Sequence, residues 1–278
     1  MIKEQANIKF GFDQWSKKRN REGIFSGCWN NCRYCGVAVT QCDWLNRRNR
    51  ENWNLMILKK KEYNKRIGKR TERSIFPTSH DIFWFNKKLC LNFLKKLVNP
   101  KRLVFNDVLV ISKPRYQIIK YLCERFEEME HFDKIKKAIQ FRFTITTQNE
   151  NLTKFWEGNS SLFPERLKSL KYTIDNGWEN SVVIEPYLDP PEQLIKLVDV
   201  LQPYTTGSIW IGHMNRIKKN GLLEEEKPFY RVIRKNCSHK QLALIIRLLK
   251  DNRKIRYKGS IVKKINLIPD YQIPKIKK

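Results

Sequence analysis

An α/β fold on a parallel sheet of six strands, curved into a partial (β/α)6 barrel, is the architecture this sequence predicts. Short apolar runs alternate with amphipathic stretches, the strand-then-helix order repeats along the chain, and every apolar run ends in polar residues. The expected strands are 23–26, 74–76, 107–111, 141–145, 182–184 and 208–211. The expected helices are 52–63, 86–97, 116–129, 164–176, 191–201 and, after the last strand, 238–251. Strands joined by helices pair in parallel through right-handed crossovers, and the loops at their C-terminal ends converge on one mouth. The barrel is expected over residues 1–216. Residues 220–228 read as a loop, and 217–278 as a basic C-terminal extension packing on the barrel.

The 278 residues are 41% apolar and 12% aromatic, enough to bury a core, which excludes a disordered basic tail. No run approaches the roughly 18 apolar residues of a membrane span. The start, MIKEQANIKF, carries acid and lacks the apolar core of a signal peptide, so a cytoplasmic protein is expected. Seven cysteines, an odd number, suit metal or redox chemistry better than a disulfide framework.

With 56 Lys and Arg against 28 Asp and Glu, the formal net charge is +28, a field that attracts polyanions, nucleic acid foremost. The cations concentrate from Arg47 to Arg73 and from Arg247 to Lys278. Trp44, Trp53 and Tyr63 accompany the first group, and aromatics among cations can stack on bases while the cations hold phosphates. A solvated basic face with no ligand accounts for the same runs.

Residues 28–35 read Cys28-Trp-Asn-Asn-Cys32-Arg-Tyr-Cys35, directly after the first expected strand. Three thiolates so spaced suit three irons of a [4Fe-4S] cluster and leave the fourth iron open for chemistry. Cys42 could instead complete a four-ligand zinc site. The spacing, with Tyr34 before the last cysteine, resembles the C-x3-C-x-aromatic-C signature of the radical SAM superfamily. The segments FPTSHD (76–81), ISKP (111–114), FRFTITT (141–147), FWEGNSSLFPERLKSLK (155–171), IEPYLD (184–189) and IGHMN (211–215) resemble the spore photoproduct lyase-like branch.

That resemblance implies a partial barrel of radical SAM type, a [4Fe-4S] cluster held by Cys28, Cys32 and Cys35, and S-adenosyl-L-methionine as cosubstrate. It implies reductive cleavage to a 5′-deoxyadenosyl radical and an electron donor such as flavodoxin or ferredoxin. Lys113 matches the lysine placed against the cofactor, Thr144 or its neighbour Thr147 falls at the strand-four hydroxyl, and Thr78, Ser79 and His80 replace the Gly-Gly-Glu-type segment that meets the ammonium through backbone carbonyls. Tyr34 stands at the aromatic position of the signature. Glu185, an acid closing an apolar strand, needs a partner: ribose, ammonium, substrate or a structural cation. His80 and His213 are candidates to face the substrate. Thr78 stands where photoproduct-repairing members carry a hydrogen-donating cysteine, and an O–H bond is too strong for that role. Thymine-dimer repair is therefore not implied, and Cys42 is the donor candidate. Cys90 and Cys123 lie on apolar helix faces and read as core.

The reading is a radical SAM enzyme acting on nucleic acid, by modification or repair, with lyase or transferase type open. A radical SAM enzyme acting on a peptide or protein, and a non-enzymatic nucleic-acid-binding module with a structural metal, are the alternatives.

Overall fold

A computed structural model describes residues 20–98, 105–218, 220 and 222–265. Seven parallel strands form one sheet: β1 (Asn20–Arg21), β4 (Ser74–Phe76), β5 (Val108–Ser112), β6 (Ile139–Thr144), β7 (Glu179–Ile184), β8 (Ile209–Ile211) and β9 (Ile255–Tyr257), neighbours in that order. Because they follow one another in a single direction, right-handed crossovers put the connecting helices on one face and the sheet curls about the other. The register sets Phe76 beside Val110, Val110 beside Phe141, Phe143 beside Val182 and Ile184 beside Ile211. The helices bury one stripe each: in Lys87–Val98 these are Cys90, Leu91, Phe93, Leu94, Leu97 and Val98, the spacing of an amphipathic helix. Each such fully buried Leu or Phe contributes about 1.5–3 kcal/mol. Cys90 and Cys123 are buried in this core, as expected, and so is Cys237.

Five expected helices recur as Lys87–Val98, Tyr116–Glu127, Phe163–Asp175, Pro191–Leu201 and His239–Leu248. The beginning of the chain differs. The expected strand 23–26 does not join the sheet: Asn20–Arg21, just before it, supplies β1, while β2 (Phe25–Ser26) pairs antiparallel with β3 (Ile57–Leu58) in a separate ribbon. The expected helix 52–63 shrinks to Lys60–Asn64. Its first half runs alongside the cysteine loop, where the Cys28 N–H donates to the Trp53 carbonyl at 2.8 Å and the Lys59 N–H to that of Ile24 at 2.8 Å, so tertiary pairing overrides local propensity.

Helices Phe132–Ala138, Glu150–Glu157 and Lys227–Asn236 were not expected, and the last begins inside the expected loop 220–228. Residues after 216 also supply β9, which continues the sheet beyond β8, so the segment expected as an extension completes the sheet. Residues 266–278, with the end of the C-terminal basic run, lie outside the described residues. No helix among the described residues is long and apolar enough to cross a membrane.

Candidate metal centre at the mouth of the barrel

The cysteine loop leaves β2 through Gly27, whose φ of +90° suits glycine and whose missing Cβ would stand 2.5 Å from the Leu55 carbonyl oxygen. Cys28, Cys32 and Cys35 are free thiols, and Cys28 lies within electrostatic reach of both others. Burial pushes the Cys28 thiol up, and that of Cys32 to about 12. Among the described residues no three His, Cys, Asp or Glu side chains converge as ligands of one ion. A cubane takes each thiolate at a different iron, so its ligands need not meet at a point, whereas the ligands of one zinc do.

The loop is tied down on every side. Arg50 reaches Asn31 Oδ1 and donates to the Cys32 carbonyl at 3.0 Å, and Arg48 donates to the Ser26, Asn52 and Leu55 carbonyls. On the other side lies the end of the Glu150–Glu157 helix: the Arg33 N–H donates to the Trp156 carbonyl at 2.8 Å and the Asn159 side chain to that of Trp29 at 3.0 Å. Gly158, at φ +54°, allows this approach, for a Cβ there would stand 2.6 Å from the Asn30 carbonyl oxygen.

Two buried carboxylates organise the mouth. Asp81 accepts from Asn30 Nδ2 at 2.8 Å, Ser112 Oγ at 2.6 Å, and the Ile82 and Lys113 N–H groups at 2.8 and 2.9 Å, joining the cysteine loop to the ends of β4 and β5. Glu157, wholly buried, accepts from the Tyr34 hydroxyl, Thr146 Oγ1 at 2.9 Å, Ser160 Oγ at 3.1 Å and Arg166 Nη2, with Lys113 Nζ 4.0 Å away. Burial pushes the Glu157 carboxyl up, but the Arg166 guanidinium and the Lys113 ammonium outweigh it and hold it down at about 2. The Arg166 guanidinium also donates to the carbonyls of Ser161 and Thr144 and to Ser160 Oγ.

No protein-family model and no curated protein matches this sequence. Among solved structures, spore photoproduct lyase complexed with dinucleoside spore photoproduct superposes with a TM-score of 0.52 at 13% identity, over 89% of this chain and 78% of that one. A point mutant of spore photoproduct lyase gives 0.53 at 13% identity with the same coverage. The chain has the spore photoproduct lyase fold. The partial barrel expected from the sequence is thereby borne out, with a seventh strand beyond the six expected. SuiB from Streptococcus suis, bound to S-adenosylmethionine, is also similar, with a TM-score of 0.46 at 13% identity over 93% of this chain and 50% of that one.

Within this spore photoproduct lyase fold, the residues singled out in the sequence divide into two groups. Cys28, Cys32, Cys35, Tyr34 and Lys113 come together: Lys113 Nζ lies 5.5 Å from the centroid of the Tyr34 ring, and the neighbouring Cys32 and Glu157 raise the Lys113 ammonium despite burial. Thr144 is half-buried at the end of β6. The others are held in structural bonds. Thr78 Oγ1 donates to the Glu22 carbonyl at 3.0 Å and Ser79 Oγ to that of Phe25 at 2.9 Å, stitching the loop after β4 to the start of the cysteine loop. Thr147 Oγ1 donates to Asp189 Oδ1 at 2.8 Å and accepts the Asn149 N–H. Glu185 pairs with Lys258, just beyond β9, at 2.8 Å and accepts from Ser260, so its partner is a structural cation.

His80 is buried between Phe25 and Phe76, with Nε2 accepting the Ile24 N–H at 3.2 Å and Nδ1 facing the Asp81 carbonyl at 3.0 Å. Burial pushes its imidazole down to about 3, so it stays neutral and positions the loop. Its contribution to stability is present above the ordinary value near 6.5 and is lost as pH falls toward 3. His80 ring resonances are expected not to titrate around pH 6.5 in the folded protein, as NMR would record. His213 is buried with Nδ1 2.7 Å from the Met214 carbonyl, and burial lowers it as well. Cys42 packs with Ala38 and Trp53 beside Cys28 and Cys35 and lines a cavity of about 410 Å³ with three arginines, Arg47, Arg48 and Arg50.

Glu157, Arg166 and Asp81 organise the site without standing out as organisers in the sequence. Arg166 carried a signal: with Ser169, Leu170 and Thr173 it lies on the inward stripe of its helix, where a cation needs a buried partner. In the 47–73 segment, Trp53 is buried and Lys96 caps the Tyr63 ring, so neither is free to stack on a base. Lys65 and Arg70 both pair with buried Glu22. Trp44 stays exposed beneath the Arg216 guanidinium, 3.6 Å from its centroid.

Proposed function

We propose that the chain is a radical SAM enzyme in which Cys28, Cys32 and Cys35 hold a [4Fe-4S] cluster and whose substrate is nucleic acid, modified or repaired. One observation carries the reading: three free thiols within one loop, at the C-terminal mouth of a parallel partial barrel, with a lysine and a buried carboxylate network beside them. When bound, such a cluster supplies the electron that cleaves S-adenosyl-L-methionine to the 5′-deoxyadenosyl radical, which abstracts hydrogen from the substrate.

The chain's own residues hold and orient. Lys113 offers a cation to the cosubstrate carboxylate, in a site whose low polarity strengthens the contact. Glu157, pinned by Arg166, keeps Tyr34 and Lys113 in place and holds the loop between Cys32 and Cys35 against the barrel. Asp81 holds Asn30 on the opposite side of that loop. Cys42, the thiol outside the triad that packs beside it, is the proposed hydrogen donor. The formal charge of +28 favours a polyanionic substrate.

Anaerobic reconstitution with iron and sulfide tests the reading. The expected result is a brown protein that converts S-adenosyl-L-methionine and reductant to 5′-deoxyadenosine. One tightly held zinc and no such product would instead support a binding module with a structural metal. A salt-dependent shift of an oligonucleotide is expected at low salt, and its absence would count against the nucleic-acid substrate.

A further inference from the structure

We propose that Trp29, Trp84 and Phe85 form a platform on which unpaired nucleobases stack, directly beside the cysteine loop. The inference rests on the nucleic-acid part of the reading above and assigns the surface that meets the base.

Trp84 and Phe85, in the loop after β4, are 58% and 49% exposed, which is unusual for adjacent large aromatics. Trp29, the residue after Cys28, bridges the two loops: its ring centroid lies 6.3 Å from each of the others, edge to face. The platform is built on a rigid base. Phe85 stacks at 5.3 Å and 10° on the buried Phe83 ring, over which Arg115 places its guanidinium at 5.2 Å. The Phe83 N–H donates to Asn86 Oδ1 at 2.7 Å, and Asn86 returns a bond to the Asp81 carbonyl. The same loop thus carries the buried Asp81 that anchors Asn30 and the exposed rings that flank Trp29.

Charge selects the partner. Lys87 and Lys88 directly follow Asn86 in the chain, Lys88 is exposed, Arg115 lies over Phe83, and the chain's formal net charge is +28. Aromatic faces set among cations suit a base together with its phosphate. Paired bases stack on one another inside a duplex, so their faces reach such a platform only from a single strand or after extrusion. A base seated there is delivered to the mouth that holds Cys28, Cys32 and Cys35.

The test compares the full chain with Trp84→Ala/Phe85→Ala by fluorescence anisotropy of a labelled single-stranded oligonucleotide and of its duplex, over a range of salt. The parent is expected to bind the single strand more tightly. The double variant should weaken that binding about five-fold or more, with the slope of affinity on salt unchanged because no phosphate contact is removed. Trp84→Tyr should retain most of the affinity. Because both rings are half-exposed, thermal melting should match the parent. Quenching of intrinsic fluorescence on binding, reduced in Trp84→Phe, reads the contact without the double variant.

If the parent binds and the double variant binds equally tightly, or if the duplex is preferred, the platform is overturned while the nucleic-acid reading stands. If the parent binds no oligonucleotide at low salt, both fall. Loss of an acidic peptide or of anionic vesicles from the variant, with oligonucleotide binding intact, would assign the rings to another partner and overturn the proposal.

Discussion

Replacing any one of Cys28, Cys32 or Cys35 by alanine is expected to reduce iron retention after anaerobic reconstitution to background and to abolish 5′-deoxyadenosine formation. The three thiols share one loop whose path is set by bonds to Arg50, Trp156 and Asn159, most of them made through its backbone, and whose start at Ser26 is held by Arg48. Removing one sulfur therefore deletes a ligand and leaves the loop in place. The structural cost is about 1 kcal/mol, typical of a single substitution, so the apoprotein should melt nearly as the parent does. Cys42→Ala is the informative control. With three cluster ligands it keeps its iron, whereas a four-cysteine zinc site would lose its metal with Cys42 as readily as with Cys28. Iron retained in all three triad variants, or lost in Cys42→Ala, would refute the assignment.

The second large effect is on stability. Arg166→Met is expected to cost about 3–5 kcal/mol, because it strands the wholly buried Glu157 carboxylate without its strongest partner. Glu157→Gln should cost less, since an amide can still accept from Tyr34 and Thr146. The double variant should lose less than the sum of the singles, the signature of coupling.

The pH dependence follows from the direction of the shift. The Glu157 carboxyl is held at about 2 in the folded chain against 4.5 ordinarily. Its stabilising contribution, on the order of 3 kcal/mol, is fully present above the ordinary value and is lost as pH falls toward 2. Urea midpoints followed from neutral to acid pH should show this loss in the parent and a smaller one in Glu157→Gln. Equal slopes would mean that the ion pair is not what acid breaks. Because Tyr34 leans on the same carboxylate and Cys32 Sγ on the backbone carbonyl of Glu157 at 3.9 Å, Arg166→Met should also lower the iron retained on reconstitution.

Some of this site was legible from local pattern. The spacing of the three cysteines lies within eight residues, and Lys113 follows an apolar run that can only be a buried strand, so both could be placed at a strand end before any contact was known. The hydroxyls and histidines were legible as polar residues at the mouth but not in their roles. Whether His80 faces substrate or a backbone N–H depends on Ile24, 56 residues earlier, and whether Glu185 meets ribose or a lysine depends on Lys258, 73 residues later. The helix expected at 52–63 failed for the same kind of reason: the backbone of Trp53 is engaged by Cys28, a partner no window of that length contains.

The sequence by itself determined the alternation that makes a parallel partial barrel, the thiol triad at its mouth and the positive field around it, because these are properties of neighbours along the chain and of summed charge. The tertiary structure alone decided that Glu157 and Arg166 meet beneath Tyr34, that the segment after residue 216 adds the last strand, and that Trp84 and Phe85 reach Trp29 in the open. Such pairings join residues far apart in sequence, and burial of charge and packing of rings acquire their meaning only once the chain has brought them together.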